Sequence, residues 1–149
     1  MKIISWNVNG IRSVHRKDFR NWFEDEKADI VCLQEIKISE EAIKKDETFY
    51  HPSRYHSQWA FATKPGYSGL AVYSKKEPEA VRQGLGIEQF DKEGRWLETD
   101  FGNLTLINSY FPKDKLQLVL IGKAEAIAPL AASYGKVTQL DIKAPGFGK

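Results

Sequence analysis

Asp29-Ile30-Val31-Cys32-Leu33-Gln34-Glu35-Ile36-Lys37 is the stretch on which the reading of the fold turns. Four consecutive apolar residues stand between Asp29 and Gln34 with no polar alternation. A short run of that kind is expected of a strand buried on both faces. Upstream, residues 2–8 are rich in Ile, Trp and Val and stop at Asn9-Gly10, a strong turn signal. Phe19, Trp22 and Phe23 fall at helical spacing, which predicts an amphipathic helix over 16–27. Strand, helix and buried strand in that order are the opening of an α/β arrangement.

Working outward, Ser39 is placed to cap a helix over 40–47, with Glu40 and Glu41 in its first turn. Residues 55–62, 69–74, 79–85, 95–101 and 104–111 are short, β-branched or aromatic segments bounded by Gly, Pro or Asn. They read as consecutive, mostly antiparallel strands, the last two joined through Gly102-Asn103. The character changes after Pro112. All four Trp residues precede it, and residues 116–121, 124–134 and 137–142 read as strand, helix and strand, the helix closed by Gly135. The organisation expected is a domain over 1–112 followed by an unrelated βαβ-like tail over 113–149.

The 149 residues carry a formal net charge of +2, unevenly spread. Residues 1–112 hold 16 Lys and Arg against 17 Asp and Glu, whereas 113–149 hold 6 Lys against 3 acids. Bulk charge therefore gives no nucleic-acid footprint, and any such claim rests on motifs. No run approaches the length of a membrane span, and the N-terminus turns polar too soon for a signal peptide. A single cysteine, Cys32, excludes an internal disulfide framework and a Cys-rich zinc site. These features lead to the expectation of a cytoplasmic protein of bacterial type with no membrane partner.

Chemistry is expected where buried strands end. Glu35 directly follows an apolar run, which puts its carboxylate at a sheet rim, beside the Asn7 carboxamide that ends the first strand. A rim carboxylate with a carboxamide suits Mg²⁺, a hard cation that takes oxygen ligands and keeps several waters. Lys37, two residues on, can pair with that carboxylate or with a bound phosphate. A structural Glu–Lys pair at a strand end fits the same residues. His15, His51 and His56 match no metal-ligand spacing and read as structural or surface residues, and Cys32 as a core thiol.

Trp6-Asn7-Val8-Asn9-Gly10-Ile11-Arg12 and Asp29 to Lys37 resemble the first two motifs of the exonuclease III/AP endonuclease family. Gly66-Tyr67-Ser68-Gly69-Leu70-Ala71-Val72, Glu93-Gly94-Arg95 with Leu97-Glu98, and Asn108-Ser109-Tyr110-Phe111-Pro112 agree with that family in order and spacing. The resemblance implies an α/β fold, the N-terminal half of a four-layer αββα sandwich. It implies a DNA phosphodiesterase of base-excision repair that uses Mg²⁺, or Mn²⁺, on abasic sites or 3′ ends. It further implies that Glu35 is the metal ligand with Asn7 beside it, and that Asn7, Glu35 and Tyr110 are the catalytic residues. Asn9, Arg12, Lys37, Tyr67, Gly69 and Arg95 would then be substrate-binding, with Tyr67, Gly69 and Arg95 touching the DNA backbone as stacking, close-approach and bidentate groups.

The family pattern also includes an Asp-x-Asn motif and a terminal Ser-Asp-His, and this chain has neither. Groups of that kind are typically worth about 10²–10⁴-fold each in rate. The expectation is therefore a half-domain with weak or no autonomous activity. The alternative is a non-catalytic truncated or fused half-domain that binds DNA or self-associates through a large apolar sheet face left uncovered.

Overall fold

A computed structural model describes residues 1–46 and 50–110 of the chain. Two compact units divide it, Met1–Phe111 and Pro112–Lys149. The strand–helix–strand expected in the second unit lies outside the described residues. In the first unit the elements run β1 (Ile3–Asn7), α1 (Ile11–His15), α2 (Phe19–Glu26), β2 (Ile30–Gln34) and α3 (Glu40–Lys44). They continue with β3 (His56–Ala60), β4 (Leu70–Ser74), β5 (Ala80–Gln83), α4 (Glu88–Asp91), β6 (Trp96–Asp100) and β7 (Thr105–Ser109).

The strands form a four-stranded sheet in the order β1-β2-β4-β3 and a three-stranded sheet in the order β5-β6-β7. Only β1 and β2 are parallel; every other pair is antiparallel. The two central strands β2 and β4 are buried at every position, and alternate residues explain why. Val31, Leu33, Ala71 and Tyr73 pack on the helical side with Ile11, Phe19, Phe23 and Ile43. Ile30, Cys32, Leu70 and Val72 face the second sheet, where they meet Leu97 and Phe101. This unit thus has three layers, helices on sheet on sheet. Each large apolar side chain buried in this way contributes roughly 1.5–3 kcal/mol.

The helix expected over 16–27 is α2, and a short helix, α1, precedes it outside that span. Ile11 starts α1 directly after the Gly10 turn and is fully buried. Asp18, left-handed at φ 66°, then breaks the chain before α2. The apolar spacing of Phe19, Trp22 and Phe23 reports only α2, because α1 anchors through one residue. The short helix α4 carries no buried residue and therefore no periodic signal. Ser39 caps α3 as expected, its hydroxyl accepting from the Ala42 N–H at 3.4 Å.

The second sheet departs from expectation on its outer side. The register that sets Val81, Thr99 and Leu106 in one row and Gln83, Leu97 and Asn108 in another leaves Ala80, Arg82, Trp96, Glu98, Asp100, Thr105, Ile107 and Ser109 pointing away from the first sheet. Arg82 and Glu98 are an ion pair there. That side mixes polar side chains with Ala80, Trp96 and Ile107, in place of the large apolar face the sequence suggested.

Candidate active site

Because β1 and β2 run parallel with Asn7 level with Gln34, Glu35 emerges beside Asn7 at one end of the sheet. The Asn7 amide Nδ2 donates to Glu35 Oε1 at 2.9 Å, and the Asn7 Oδ1 accepts from the Asn9 N–H at 3.1 Å. The carboxamide therefore orients the carboxylate, and its oxygen accepts one backbone hydrogen bond. Lys37 Nζ sits 2.8 Å from Glu35 Oε2 and also donates to Asn9 Oδ1. The Asn7 and Lys37 hydrogen bonds, helped less by the Lys37 charge and the Tyr110 hydroxyl, hold the Glu35 carboxyl below its ordinary range against the opposing effect of burial.

The turn that carries Glu35 and Lys37 is not extended. Asn9, Glu35, Lys37 and Ser68 all have φ between 40° and 52°. Non-glycine residues held there cost on the order of 1–3 kcal/mol each and persist only where surroundings over-determine them. The surroundings are backbone hydrogen bonds on both flanks. Gly10 N–H donates to the Glu35 carbonyl at 2.7 Å and Ile11 N–H to the Ile36 carbonyl at 2.9 Å. On the other side, Ile36 N–H donates to the Gly69 carbonyl at 3.2 Å and Lys37 N–H to the Ser68 carbonyl at 2.9 Å. Fully buried Ile36 acts as the pin of this three-loop junction.

Arg95 and Gly69 take different places from those the sequence suggested. Arg95 is 3% exposed. Its guanidinium pairs with Glu93 and donates to the Tyr110 carbonyl at 2.9 Å and the Tyr67 hydroxyl at 3.0 Å. It buttresses Tyr110 and Tyr67 instead of standing open to a ligand. Gly69 is buried with φ +85°, and a Cβ there would stand 2.8 Å from Ile36 Cγ1 and 3.2 Å from the Ala60 carbonyl oxygen. Its missing side chain makes room for Ile36, not for an approaching backbone. Tyr67 remains half-buried with Lys64 Nζ 5.5 Å from its ring centroid.

Beside the Glu35–Lys37 turn an open groove of about 370 Å³ is lined by Gly10, Arg12, Ser13, Arg16, Lys37 and Gly66. Three cations line it although residues 1–112 carry no net excess of positive charge. Arg16 is absent from the sequence-based expectation, and its four-residue spacing from Arg12 was the available signal. Among the described residues no group of three or more His, Cys, Asp or Glu side chains is placed to share a metal ion. His15 lies instead against Phe19 and Tyr50. No described helix is long and apolar enough to cross a membrane.

The geometry can be set beside known proteins. The family model described as the endonuclease/exonuclease/phosphatase family matches residues 4–140. The chain belongs to that family. The match runs past residue 112, where the motifs quoted from the sequence stop. An exodeoxyribonuclease of Bacillus subtilis is 42% identical over 146 residues, 97% of this chain and 55% of the relative. A DNA-(apurinic or apyrimidinic site) endonuclease of Dictyostelium discoideum is 41% identical over 112 residues, 75% of this chain and 30% of the relative. Among solved structures, an AP endonuclease from Archaeoglobus fulgidus aligns with TM-score 0.63 and 33% identity, over 76% of this chain and 42% of that one. This endonuclease/exonuclease/phosphatase family chain thus spans about half the length of the Bacillus relative and less of the others.

Proposed function

We propose that this chain carries the Glu35 half of a Mg²⁺-dependent DNA phosphodiesterase of the exodeoxyribonuclease III/AP endonuclease type, acting in base-excision repair in the cytoplasm. The observation that carries the proposal is the Glu35 carboxylate, held ionised by Asn7 and Lys37 next to a groove lined by Arg12, Arg16 and Lys37. One carboxylate with neighbouring waters and a substrate phosphate is a sufficient set for Mg²⁺, and Mn²⁺ suits the same oxygen donors. Glu35 would hold the ion, which when bound supplies positive charge to a phosphate oxygen. Asn7 orients the carboxylate, and Asn9 and Lys37 complete the polar rim. Tyr110, whose hydroxyl helps hold the same carboxylate ionised, would contact the scissile phosphate or leaving oxygen. Arg12 and Lys37 supply the phosphate-binding cations, with Tyr67 as a stacking surface.

The test is nicking of a duplex oligonucleotide with one abasic site, with Mg²⁺ and with chelator. Slow Mg²⁺-dependent nicking that disappears in Glu35→Ala is expected. Equal background rates for the two proteins would overturn autonomous catalysis and favour the reading of a non-catalytic half-domain that binds DNA or self-associates. Abasic duplex pull-down and sedimentation would then decide between those two roles.

A further inference from the structure

Among the described residues, the side-chain hydrogen bonds that join the strands of the two sheets are those of Gln34 and Asn108. Around them Ile30, Cys32, Leu70, Val72, Leu97 and Phe101 form the apolar part of the interface. Asn108, on β7, is 3% exposed and directs both its amide donors and its side-chain oxygen to the opposite sheet. Its Nδ2 donates to the Leu33 carbonyl at 3.1 Å and to the Ala71 carbonyl at 3.0 Å, residues that face each other across β2 and β4. Its Oδ1 accepts from Gln34 Nε2 at 2.7 Å, and the same nitrogen lies 3.1 Å from Ser5 Oγ on β1. One buried amide pair therefore ties together β1, β2, β4 and β7.

Close-packed apolar layers already resist sliding, since a gap of about 0.5–1 Å forfeits a quarter to a half of the dispersion attraction, but they carry no directional preference of their own. Directional hydrogen bonds between buried amides are steep in distance and angle. The amide pair thus adds a directional constraint on the register of one sheet against the other. Its position gives that register a use. Gln34 immediately precedes Glu35, and Asn108 stands two residues before Tyr110. The Tyr110 carbonyl is held on its other side by Arg95.

We propose that Asn108 is a positioning residue that acts through Gln34 to set the Tyr110 hydroxyl against the Glu35 carboxylate. The proposal rests on the reading above, in which Glu35 and Tyr110 meet the same phosphodiester. Stability is not the point of the pair. Replacing both partners of a buried hydrogen bond by apolar groups of similar shape is often nearly neutral, whereas a displacement of about 1 Å at reacting groups can cost about 10²-fold in rate.

The experiment uses the full chain labelled with 3-fluorotyrosine, with the Tyr110 ¹⁹F resonance assigned by its loss in Tyr110→Phe. Asn108→Leu is expected to move that resonance toward its position in the denatured chain. It should lower the kcat for nicking abasic DNA by about 10- to 100-fold while KM stays within about twofold. In a Tyr110→Phe background the same substitution should change kcat by less than about twofold, since the group it positions is gone. An unmoved Tyr110 resonance in folded Asn108→Leu protein overturns the proposal, as do equal losses of kcat in the two backgrounds. Should Asn108→Leu fail to fold, Gln34→Met removes the Gln34 bonds to Asn108, Ser5 and Cys32, leaves both Asn108 donors satisfied and carries the same readings. A wild-type chain without nicking defeats the functional reading alone, and the ¹⁹F resonance still decides the positioning.

Discussion

Asn7 and Glu35 meet at 2.9 Å because two parallel strands end level with one another, and the contact puts a donor, not a charge, against the carboxylate. The Asn7 hydrogen bond is the largest influence holding the Glu35 carboxyl below its ordinary range. In Asn7→Ala that carboxyl should titrate closer to the ordinary carboxylate range, followed by ¹³C NMR of the labelled side chain. Sign matters here. A depressed carboxyl pKa stabilises the fold above the unfolded value and is lost on acidification, so Asn7→Ala should flatten the acid limb of the unfolding curve. Nicking of abasic DNA should fall by about 10²-fold, the usual scale for an orienting electrostatic group. An unchanged Glu35 titration would show that Lys37 alone sets the carboxylate.

Gly69 yields a prediction about stability. An alanine there meets Ile36 Cγ1 at 2.8 Å and is strained at φ +85°. Gly69→Ala should cost about 2–4 kcal/mol, the sum of left-handed strain and overpacking. Urea unfolding measures it, with the midpoint falling and the slope unchanged. Ile36 lies between Glu35 and Lys37, so the surviving folded protein should also nick more slowly. A cost below about 0.5 kcal/mol would mean that Ile36 yields freely and does not pin the junction.

The parts of this unit that were legible are those whose signal is local. The unbroken apolar run of β2 reports burial on both faces, Ser39 reports a cap, and the strands from β3 to β7 stand where β-branched and aromatic residues predict them. Asn7 and Glu35 were legible because strand ends in a parallel pair bring polar residues together. The rest depends on contacts remote in sequence. Arg95 reads as a surface charge until Tyr67 and Tyr110 close over it from 28 and 15 residues away. Gly69 reads as a ligand-facing glycine until Ile36 fills its space. Lys37 does pair with Glu35, yet through two left-handed residues and not through the extended chain that the spacing assumed. Asn108 gave no signal of its own, since a polar residue in a strand ordinarily points to water.

His15 supplies a pH prediction that is independent of catalysis. Burial against Phe19 and Tyr50 lowers its pKa to about 4, opposed by the Asp46 charge and reinforced by Arg20. The unfolded chain, near 6.5, then binds more protons than the folded one between the two values. Stability should therefore rise with pH across about 4 to 6.5 and level off above, by on the order of 1–3 kcal/mol. Urea midpoints at pH 4.5, 5.5 and 7 measure it. His15→Phe should shrink the slope in that window, and an equal slope in the two proteins would assign it to carboxylates instead.

Lys37 sets two of the proposed activities against each other. Its ammonium occupies Glu35 Oε2 at 2.8 Å and lines the groove with Arg12 and Arg16. A cation arriving at Glu35 has to share that oxygen with a like charge, which costs affinity. Lys37→Met removes the competitor, so Mg²⁺ should bind several-fold more tightly, read by calorimetry on the chain without DNA. The same change removes a phosphate-binding cation, so the salt dependence of DNA binding should weaken by about one unit of slope and KM should rise. The two effects have opposite signs, which separates them from general damage to the fold: a destabilised variant would lose both. Tighter metal with weaker DNA places Lys37 between the two ligands. Weaker binding of both would make it a structural partner of Glu35 and no more.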